Sequence, residues 1–272
     1  MRAGFDSASS RTSVSAAAHR ARKRFGQHFL HDRNVIGKIL LAVNPQPADA
    51  LIEIGPGLGA LTLPLLERCG RLTAVELDRD VIPRLQAEAA GKGELHVIQA
   101  DALKTDFRAL APPGGKIRLV GNLPYNISTP LLFHLLDYSA AIADMHFMLQ
   151  KEVVQRMAAA PGGKDYGRLT VMLAARCRVQ PLFSIGSGAF TPAPKVESAF
   201  VRLTPHVTPP FEIKDMARFA QLVSRAFSQR RKTLRNALRE LADEAAIRAA
   251  GLDPMARPET LSAGDYARLA AR

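Results

Sequence analysis

ALIEIGPGLG, residues 50–59, is the stretch that decides the fold. Its first half is an apolar run that predicts a buried strand, and its glycines predict a tight turn into a helix. The spacing G-x-G-x-G differs from the dinucleotide fingerprint G-x-G-x-x-G, which weakens a nicotinamide interpretation. Because open α/β sheets bind ligands at the carboxyl ends of their strands, this turn marks a candidate ligand site.

Strands and helices alternate on both sides of this stretch. Helices are predicted up to residue 43 and at 60–69, 80–90, 129–138, 151–160 and 167–176, and strands at 71–77, 94–100, 116–121 and 144–149. Such alternation is typical of a mostly parallel, doubly wound sheet, so the predicted class is a Rossmann-like α/β fold. Extended runs follow at 178–185 and 198–203. Between them, prolines predict a loop over Phe190–Lys195.

The composition predicts three segments. Residues 1–20 are rich in Ser, Ala and Arg and are expected to be a disordered basic tail, 21–204 carry the sheet, and 205–272 form a small helical domain without strand signals. The N-terminus lacks the apolar stretch of a secretory signal, and no run reaches the roughly 18 apolar residues of a membrane span. We therefore expect a cytoplasmic protein, with a monomer as the default.

The charge balance is strongly basic. The chain has 37 Lys and Arg against 25 Asp and Glu, a net charge of +12, which favours a polyanionic partner such as RNA. Residues 225–239 hold six positive charges and no acid, although a solvated helix face is the usual fate of such a run. The candidate RNA-binding residues are Arg22, Lys23, Arg24, Arg230, Arg231, Lys232 and Arg235.

Asn122-Leu123-Pro124-Tyr125 follow the apolar run KIRLVG, at the predicted end of a strand. The amide oxygen of Asn122 and the backbone carbonyl of Leu123 can accept hydrogen bonds from an exocyclic amine. Pro124 fixes the turn, and the ring of Tyr125 offers a stacking face. The alternative is a strand-to-turn junction in which Asn and Pro only shape the chain.

Two acidic residues end the strands that follow the glycine turn. Glu76 stands about 20 residues beyond it, where a carboxylate holds ribose hydroxyls, and Asp101 ends the next strand, where a carboxylate can accept a hydrogen bond from an adenine amine. A nucleoside site beside an amine clamp predicts S-adenosylmethionine and methyl transfer to nitrogen. The histidines lack metal-ligand spacing, so no metal is expected. A target adenine would leave its stack and lie between Tyr125 and Phe190.

The chain resembles the KsgA family of small-subunit ribosomal RNA adenine dimethyltransferases. The motifs that carry the resemblance cover about residues 21–272 and occur in the family's order: RKRFGQHFL, EIGPGLGALT, ELDRD, NLPYNISTP, MLQKEV, FTPAPKVESA and RRKTLRN. The resemblance implies a Rossmann-like methyltransferase core with a small helical domain. It implies N6,N6-dimethylation of two adjacent adenosines near the 3′ end of 16S rRNA, late in small-subunit assembly.

The resemblance also implies roles for individual residues. His28 and Leu30 would close over the cofactor, although the family often has Asn where His28 stands. Gly55, with Gly57 in the same loop, would face the methionine part, Glu76 the ribose and Asp101 the adenine. Asn122 would touch both cofactor and target amine, Leu123 would supply the backbone acceptor, and Tyr125 and Phe190 would bracket the base.

Three other functions remain open at this point. Enzymes that methylate large-subunit RNA share the glycine loop, an NLPY-like motif and an FxPxPKV-like loop, whereas RRKTLRN and MLQKEV favour the small-subunit enzyme. DNA adenine methyltransferases usually carry an NPPY-like or DPPY-like motif instead. A non-catalytic RNA-binding assembly factor would not need Glu76, Asp101 and the NLPY motif intact.

Overall fold

The structure, a computed structural model, describes residues 28–272. It shows a seven-stranded sheet, followed in the chain by a C-terminal helical unit. The strands are β1 (Phe29–Leu30), β2 (Ala50–Ile54), β3 (Arg71–Glu76), β4 (Glu94–Gln99), β5 (Ile117–Asn122), β6 (Ile142–Gln150), β7 (Cys177–Ile185), β8 (Phe190–Thr191) and β9 (Ser198–Pro205). The helices are α1 (Arg33–Val43), α2 (Thr62–Cys69), α3 (Ile82–Ala89), α4 (Ser128–Leu136), α5 (Lys151–Met157), α6 (Arg168–Ala174), α7 (Met216–Ser228), α8 (Leu234–Leu238), α9 (Glu244–Ala249) and α10 (Ala263–Ala270).

The sheet has the strand order β4-β3-β2-β5-β6-β9-β7. The first five strands are parallel, and β9 pairs antiparallel with both β6 and β7. The predicted mostly parallel α/β fold is therefore confirmed. The order reverses between β2 and β5, and such a switch point opens a crevice at the carboxyl ends of the strands.

Helices cover both faces of the sheet. Successive side chains of a strand point to opposite faces, and in β5 the side chain of Leu119 packs with α4 and α5 while that of Val120 packs with α1 and α2. Both residues are completely buried. Burial on both faces is why these strands are continuous apolar runs rather than alternating ones.

Local signals fix the ends of α1, which leads the chain from β1 into the sheet. The carboxylate of Asp32 accepts hydrogen bonds from the backbone N–H groups of Asn34 and Val35, which caps the N-terminus. Asn44 adopts a left-handed conformation with φ 47°, and the helix ends there. The predicted end at Val43 is thus confirmed.

The region 190–195 differs from its prediction as a loop. Phe190–Thr191 forms β8, which pairs antiparallel with β1 in a separate two-stranded sheet. A two-residue strand followed by prolines gives no periodic signal, so the sequence shows only the loop.

The C-terminal helices build a second core. Phe219 of α7 and Tyr266 of α10 are completely buried in it, together with Tyr166 and Val171 from the region around α6. The helical character predicted for 211–272 is confirmed. The division into domains near residue 205 stays a prediction, and the predicted tail lies outside the described residues. None of the helices in residues 28–272 combines the length and apolarity that crossing a bilayer requires.

Candidate active site

A cavity of about 730 Å³ opens at the carboxyl ends of the parallel strands. The glycine turn after β2, the acid at the end of β3, the segment after β4 and the NLPY segment at the end of β5 all line it, and β1 closes one side. Predicted site residues on its wall are His28, Leu30, Gly55, Gly57, Glu76, Asp101, Asn122, Leu123, Pro124 and Tyr125. Strand ends that are far apart in sequence therefore meet in one place.

Two glycines stand at the switch point, Gly57 on the cavity wall and Gly121 behind it in β5. Gly57 has φ +54°, and a Cβ atom there would lie 3.4 Å from the ring of Phe29. A Cβ on Gly121 would lie 2.5 Å from the carbonyl oxygen of Ile54, so any other residue would push β5 away from β2. Gly57 therefore leaves the backbone of the turn accessible to a ligand, and Gly121 lets β5 pack directly against β2.

Glu76 is held rigidly at the end of β3. Its Oε2 accepts a hydrogen bond from the N–H of Gly57 at 3.1 Å, and its Oε1 accepts one from the N–H of Asp78 at 2.8 Å. Burial raises the pKa of Glu76 despite these bonds. The carboxylate is thus fixed in direction, with lone pairs left for hydroxyl donors of a ligand.

Asp101 shapes the segment after β4. Its Oδ1 accepts a hydrogen bond from the N–H of Leu103 at 2.9 Å, and its backbone carbonyl accepts one from the hydroxyl of Thr105. Within residues 28–272 no donor reaches the second carboxylate oxygen. That oxygen is available to a ligand amine.

Asn122 and Leu123 present two acceptors side by side. The Nδ2 of Asn122 donates to the backbone carbonyl of His28 at 2.9 Å, which leaves Oδ1 as an acceptor. The N–H of Leu123 donates to the carbonyl of Met148 at 3.2 Å, and its side chain is buried, so the backbone is anchored. In the described part of the chain nothing donates to the Leu123 carbonyl.

Tyr125 has its hydroxyl and its backbone fixed by two serines. Its Oη lies 2.7 Å from the Oγ of Ser198, and its backbone carbonyl accepts a hydrogen bond from the Oγ of Ser128 at 3.1 Å. Burial raises the pKa of the Tyr125 phenol, which stays neutral at physiological pH. The half-buried ring is a neutral apolar plate on the cavity wall.

His28 sits between the cavity and the β8 region. Its ring is stacked with Tyr125 at a centroid distance of 5.6 Å, and its Nδ1 lies 2.7 Å from the carbonyl of Pro192. Leu30 pairs with Phe190 across β1 and β8. The contact of His28 with a cofactor stays a prediction.

Phe190 is not brought to the cavity wall. Its side chain is 3% exposed and packs in the core that also holds Leu30 and Ile185. The ring expected on a proline-stiffened loop is thus buried rather than on the cavity wall, and its role in stacking on the base stays a prediction. The β1–β8 pairing holds the ring inward, and a role as second stacking face would require that pairing to open.

Glu53 is a site residue that the sequence analysis did not single out. It lines the cavity beneath the glycine turn, is 2% exposed, and its Oε2 has no hydrogen-bond partner among residues 28–272. Burial, with the neighbouring Glu76 carboxylate, raises the pKa of Glu53 to about 8. Its place in the apolar strand ALIEI, one residue before the turn, is the signal that could have found it.

The basic residues of 225–239 are partly paired by acids from elsewhere. The guanidinium of Arg230 donates to the backbone carbonyls of Lys164 at 2.8 Å and Gly163 at 3.1 Å. Arg235 lies 3.6 Å from Glu244. Arg231 and Lys232 are exposed and have no acidic partner in the described residues. Arg22, Lys23 and Arg24 lie outside the described residues.

The cavity fits a cofactor that combines a nucleoside with a cationic group. Glu76 and Asp101 offer acceptors for hydroxyls and an amine, and the glycine turn lets a chain lie against the backbone. Glu53 is a buried acid beside that turn, and its Oε2 has no hydrogen-bond partner among residues 28–272. A positive charge nearby would favour the ionised form of Glu53. A strand order that reverses at a glycine-lined cavity, with acids at the next two strand ends, defines the class of Rossmann-like methyltransferases.

Sequence comparison identifies the family. The profile of the ribosomal RNA adenine dimethylases matches residues 18–272. The chain is 56% identical to "Ribosomal RNA small subunit methyltransferase A" of Nitrosococcus oceani, over 94% of this chain and 97% of the relative. It is also 56% identical to the protein of that name from Pseudomonas putida, over 93% and 94%. The chain belongs to the ribosomal RNA adenine dimethylase family, and the predictions of the family and of an enzyme are confirmed.

Solved structures agree with this assignment. A dimethyladenosine transferase from Plasmodium falciparum superposes with a TM-score of 0.73 at 27% identity, covering 89% of this chain and 96% of that one. The 23S rRNA methyltransferase ErmE superposes with a TM-score of 0.69 at 27% identity, covering 89% and 98%. The Rossmann-like methyltransferase fold is therefore confirmed.

Proposed function

We propose that this protein transfers methyl groups from S-adenosylmethionine to the N6 atoms of two adjacent adenosines near the 3′ end of 16S rRNA. The observation that carries the proposal is the pair of acceptors at the cavity wall, Asn122 Oδ1 and the Leu123 carbonyl. They are fixed through the bond from Asn122 to His28 and the bond from Leu123 to Met148. Family membership supports adenine as the target.

The cofactor supplies one thing, a methyl group on a positively charged sulfur. The chain would hold and orient it: Glu76 would accept hydrogen bonds from the ribose hydroxyls, and Asp101 would accept one from the adenine amine. Gly55 and Gly57 let the methionine part lie against the backbone. Because Glu76 is already fixed by two backbone N–H groups, little ordering is needed on binding.

Asn122 and Leu123 prepare the target amine. The lone pair of an aromatic amine is conjugated with the ring, which makes the nitrogen a poor nucleophile. Two acceptors on its hydrogens favour a pyramidal nitrogen whose lone pair points at the methyl group. Positioning then carries most of the rate. As the nitrogen–methyl bond forms, the sulfur–methyl bond breaks, and the positively charged amine that results is acidic enough to release a proton to water, so the reaction needs no strong base.

Tyr125 receives the unstacked base. A target adenine must leave its helix to enter the cavity, and the neutral ring of Tyr125 replaces part of the lost stacking. Pro124 limits the backbone freedom of the segment between the acceptors and the ring. The base is thus held by its edge at Asn122 and Leu123 and by its face at Tyr125.

Basic residues outside the cavity would bind the RNA backbone. Arg231 and Lys232 are exposed and have no acidic partners among the described residues, so they are free to contact phosphates. Arg235 would contact RNA only if its ion pair with Glu244 broke. Arg230 would contribute indirectly, because it holds the backbone carbonyls of Gly163 and Lys164 in place. The substrate we propose is the immature small subunit, modified late in its assembly by a monomer in the cytoplasm.

The large-subunit alternative is disfavoured by similarity. The relatives at 56% identity carry a small-subunit name, whereas the 23S rRNA enzyme is 27% identical. A purely structural assembly factor is disfavoured because Glu76, Asp101 and the NLPY segment converge on one cavity.

The decisive experiment is methylation with labelled S-adenosylmethionine. Immature small subunits, mature large subunits and naked RNA serve as substrates, and the modified base is mapped. We expect N6,N6-dimethyladenosine in small-subunit RNA. Asn122→Ala should lower the rate of product formation by roughly 100-fold or more, as expected when a group that stabilises a transition state electrostatically is removed. RNA binding should be retained.

The matched control is Asn34→Ala, which removes an exposed amide from α1 and should leave activity unchanged. Unimpaired dimethylation by Asn122→Ala would remove the assigned role of the amide. Label in large-subunit RNA alone would shift the function to the rival enzyme.

A further inference from the structure

The phenol of Tyr125 is tied to a residue from a distant part of the chain. Ser198 is the first residue of β9 and lies opposite Gln150 of β6 and Ile185 of β7. It has no exposed surface, and its Oγ lies 2.7 Å from the Oη of Tyr125. The serine end of this bond is thus buried in the sheet, while the tyrosine end belongs to a half-buried side chain.

Ser198 can act on a bound base through Tyr125. It is not among the described residues that line the cavity, whereas Tyr125 is. Asn122 ends β5, and β6 lies between β5 and β9 in the sheet. The serine therefore links the antiparallel part of the sheet to the segment that carries the acceptors.

The bond fixes a freedom that the other contacts of Tyr125 leave open. Ser128 holds the backbone carbonyl, and the ring of His28 lies beside one face. The stacked ring of His28 limits rotation about the Cβ–Cγ axis, on which Oη lies, but neither contact holds the hydroxyl end of the ring in place. The bond to Ser198 fixes that far end, so that the position of the plate is set before a base arrives.

We propose that Ser198 is a positioning residue for methyl transfer, which holds the hydroxyl end of Tyr125 so that its ring stands where the target adenine stacks. This inference rests on the proposed function. A plate fixed in advance lowers the entropy lost when the base is placed against the methyl donor. The serine belongs to the FTPAPKVESA motif, to which the sequence analysis assigned only Phe190 as a site residue.

The test is a double-mutant cycle on the full-length protein, with immature small subunits and labelled S-adenosylmethionine. Ser198→Ala should lower kcat about three- to tenfold, the range expected for one lost hydrogen bond, and leave KM for S-adenosylmethionine within about twofold. Tyr125→Phe breaks the same bond from the other side and should have the same effect. The double variant should be no worse than either single one.

Thr170→Val is the matched control, since it removes a buried hydroxyl that bonds to the carbonyl of Arg156 on α5. It should keep wild-type kcat. The inference is overturned if Ser198→Ala keeps wild-type kcat, or if it costs the same factor in the Tyr125→Phe background as in the wild type. Should Ser198→Ala fail to fold, full activity of Tyr125→Phe overturns the inference instead.

The wild-type protein separates this inference from the proposed function. If the wild type methylates no adenosine, the proposed function fails. If it is active and Ser198→Ala matches it, only the role of Ser198 is lost.

Discussion

At the scale of single residues, the acid buried beneath the glycine turn makes stability depend on pH. The pKa of Glu53 is about 8 in the folded protein against 4.5 in the unfolded chain. Its contribution is therefore fully present below about pH 4.5 and is lost as the pH rises through 8, because the unfolded chain ionises first.

We expect thermal unfolding curves of the wild type to lose stability between pH 5 and pH 8, on the order of 3 kcal/mol from this group. Glu53→Gln cannot titrate and should show a flatter profile over the same range. Glu94→Gln, at an exposed glutamate, is the control and should follow the wild type. Parallel profiles for wild type and Glu53→Gln would contradict the raised pKa.

The strand-end residues were predictable, whereas the long-range partners were not. Glu76, Asp101 and Asn122 each follow an apolar strand, and parallel strands place their ends at one edge, so their meeting follows from chain order. The pairing of Tyr125 with Ser198 joins positions 73 residues apart, and no pattern in the sequence relates them. The hydrogen bonds of Arg230 could not be predicted either, because the carbonyl groups that accept them are 66 and 67 residues away in sequence.

At the scale of elements, two arginines bind the C-terminal end of α1. Arg118 of β5 donates to the carbonyl of Val43 at 2.7 Å, and Arg202 of β9 donates to the carbonyl of Ala42 at 2.7 Å. The last carbonyls of a helix lack partners within it and carry partial negative charge. The sheet thereby fixes the helix that leads on from β1 and the cavity wall.

Arg118 also neutralises two acids. It contacts Asp49 at 2.6 Å and Asp144 at 3.0 Å, and the three side chains are between 15 and 21% exposed. Burial acts to raise the pKa of Asp144, but bonds with His146 and Arg118 outweigh it and keep the pKa below its usual range.

Arg118→Ala should therefore lower the free energy of unfolding by about 3 kcal/mol, because it removes the guanidinium that two mostly buried carboxylates share. Urea denaturation measures the change. Arg84→Ala breaks an exposed pair with Glu88 on α3 and should cost about 0.5 kcal/mol or less. Equal losses in the two variants would show that the cluster under α1 adds nothing beyond a surface pair.

Element types were read well from the sequence, and element pairing was not. The strands β2 and β4, predicted at 50–54 and 94–100 and observed at Ala50–Ile54 and Glu94–Gln99, and the helix ending at Val43 follow directly from apolar periodicity and helix ends. The position of β9 between β6 and β7 does not follow from these signals, because strand order depends on which strand edges remain to be paired. β8 was missed because two residues carry no period.

At the scale of the whole molecule, the net charge is +12, but the basic residues differ in whether an acid lies beside them. Arg225, Arg230 and Arg235 each lie near an acid of the same helical unit, Glu240, Glu259 and Glu244 respectively. Charge that is paired inside the protein releases few counterions from RNA. The salt dependence of binding therefore reports which cations face the phosphates.

We expect Arg231→Ala/Lys232→Ala to weaken RNA binding and to flatten the slope of log K against log salt by about 0.7–0.9 for each lost phosphate contact. Binding titrations at several salt concentrations measure it. Arg84→Ala/Lys92→Ala removes the same charge from exposed pairs near α3 and should leave the slope near that of the wild type. An unchanged slope for the first variant would move the RNA surface elsewhere.

The loop between α5 and α6 is fastened to the C-terminal unit at several points. The N–H of Gly162 donates to the carbonyl of Glu259, and Arg230 holds the carbonyls of the next two residues. Tilting one part against the other would break these bonds together. If Arg231 and Lys232 bind RNA as proposed, these bonds would couple that surface mechanically to the sheet whose strand ends form the cavity, so the distance between phosphate contact and reacting base would change little.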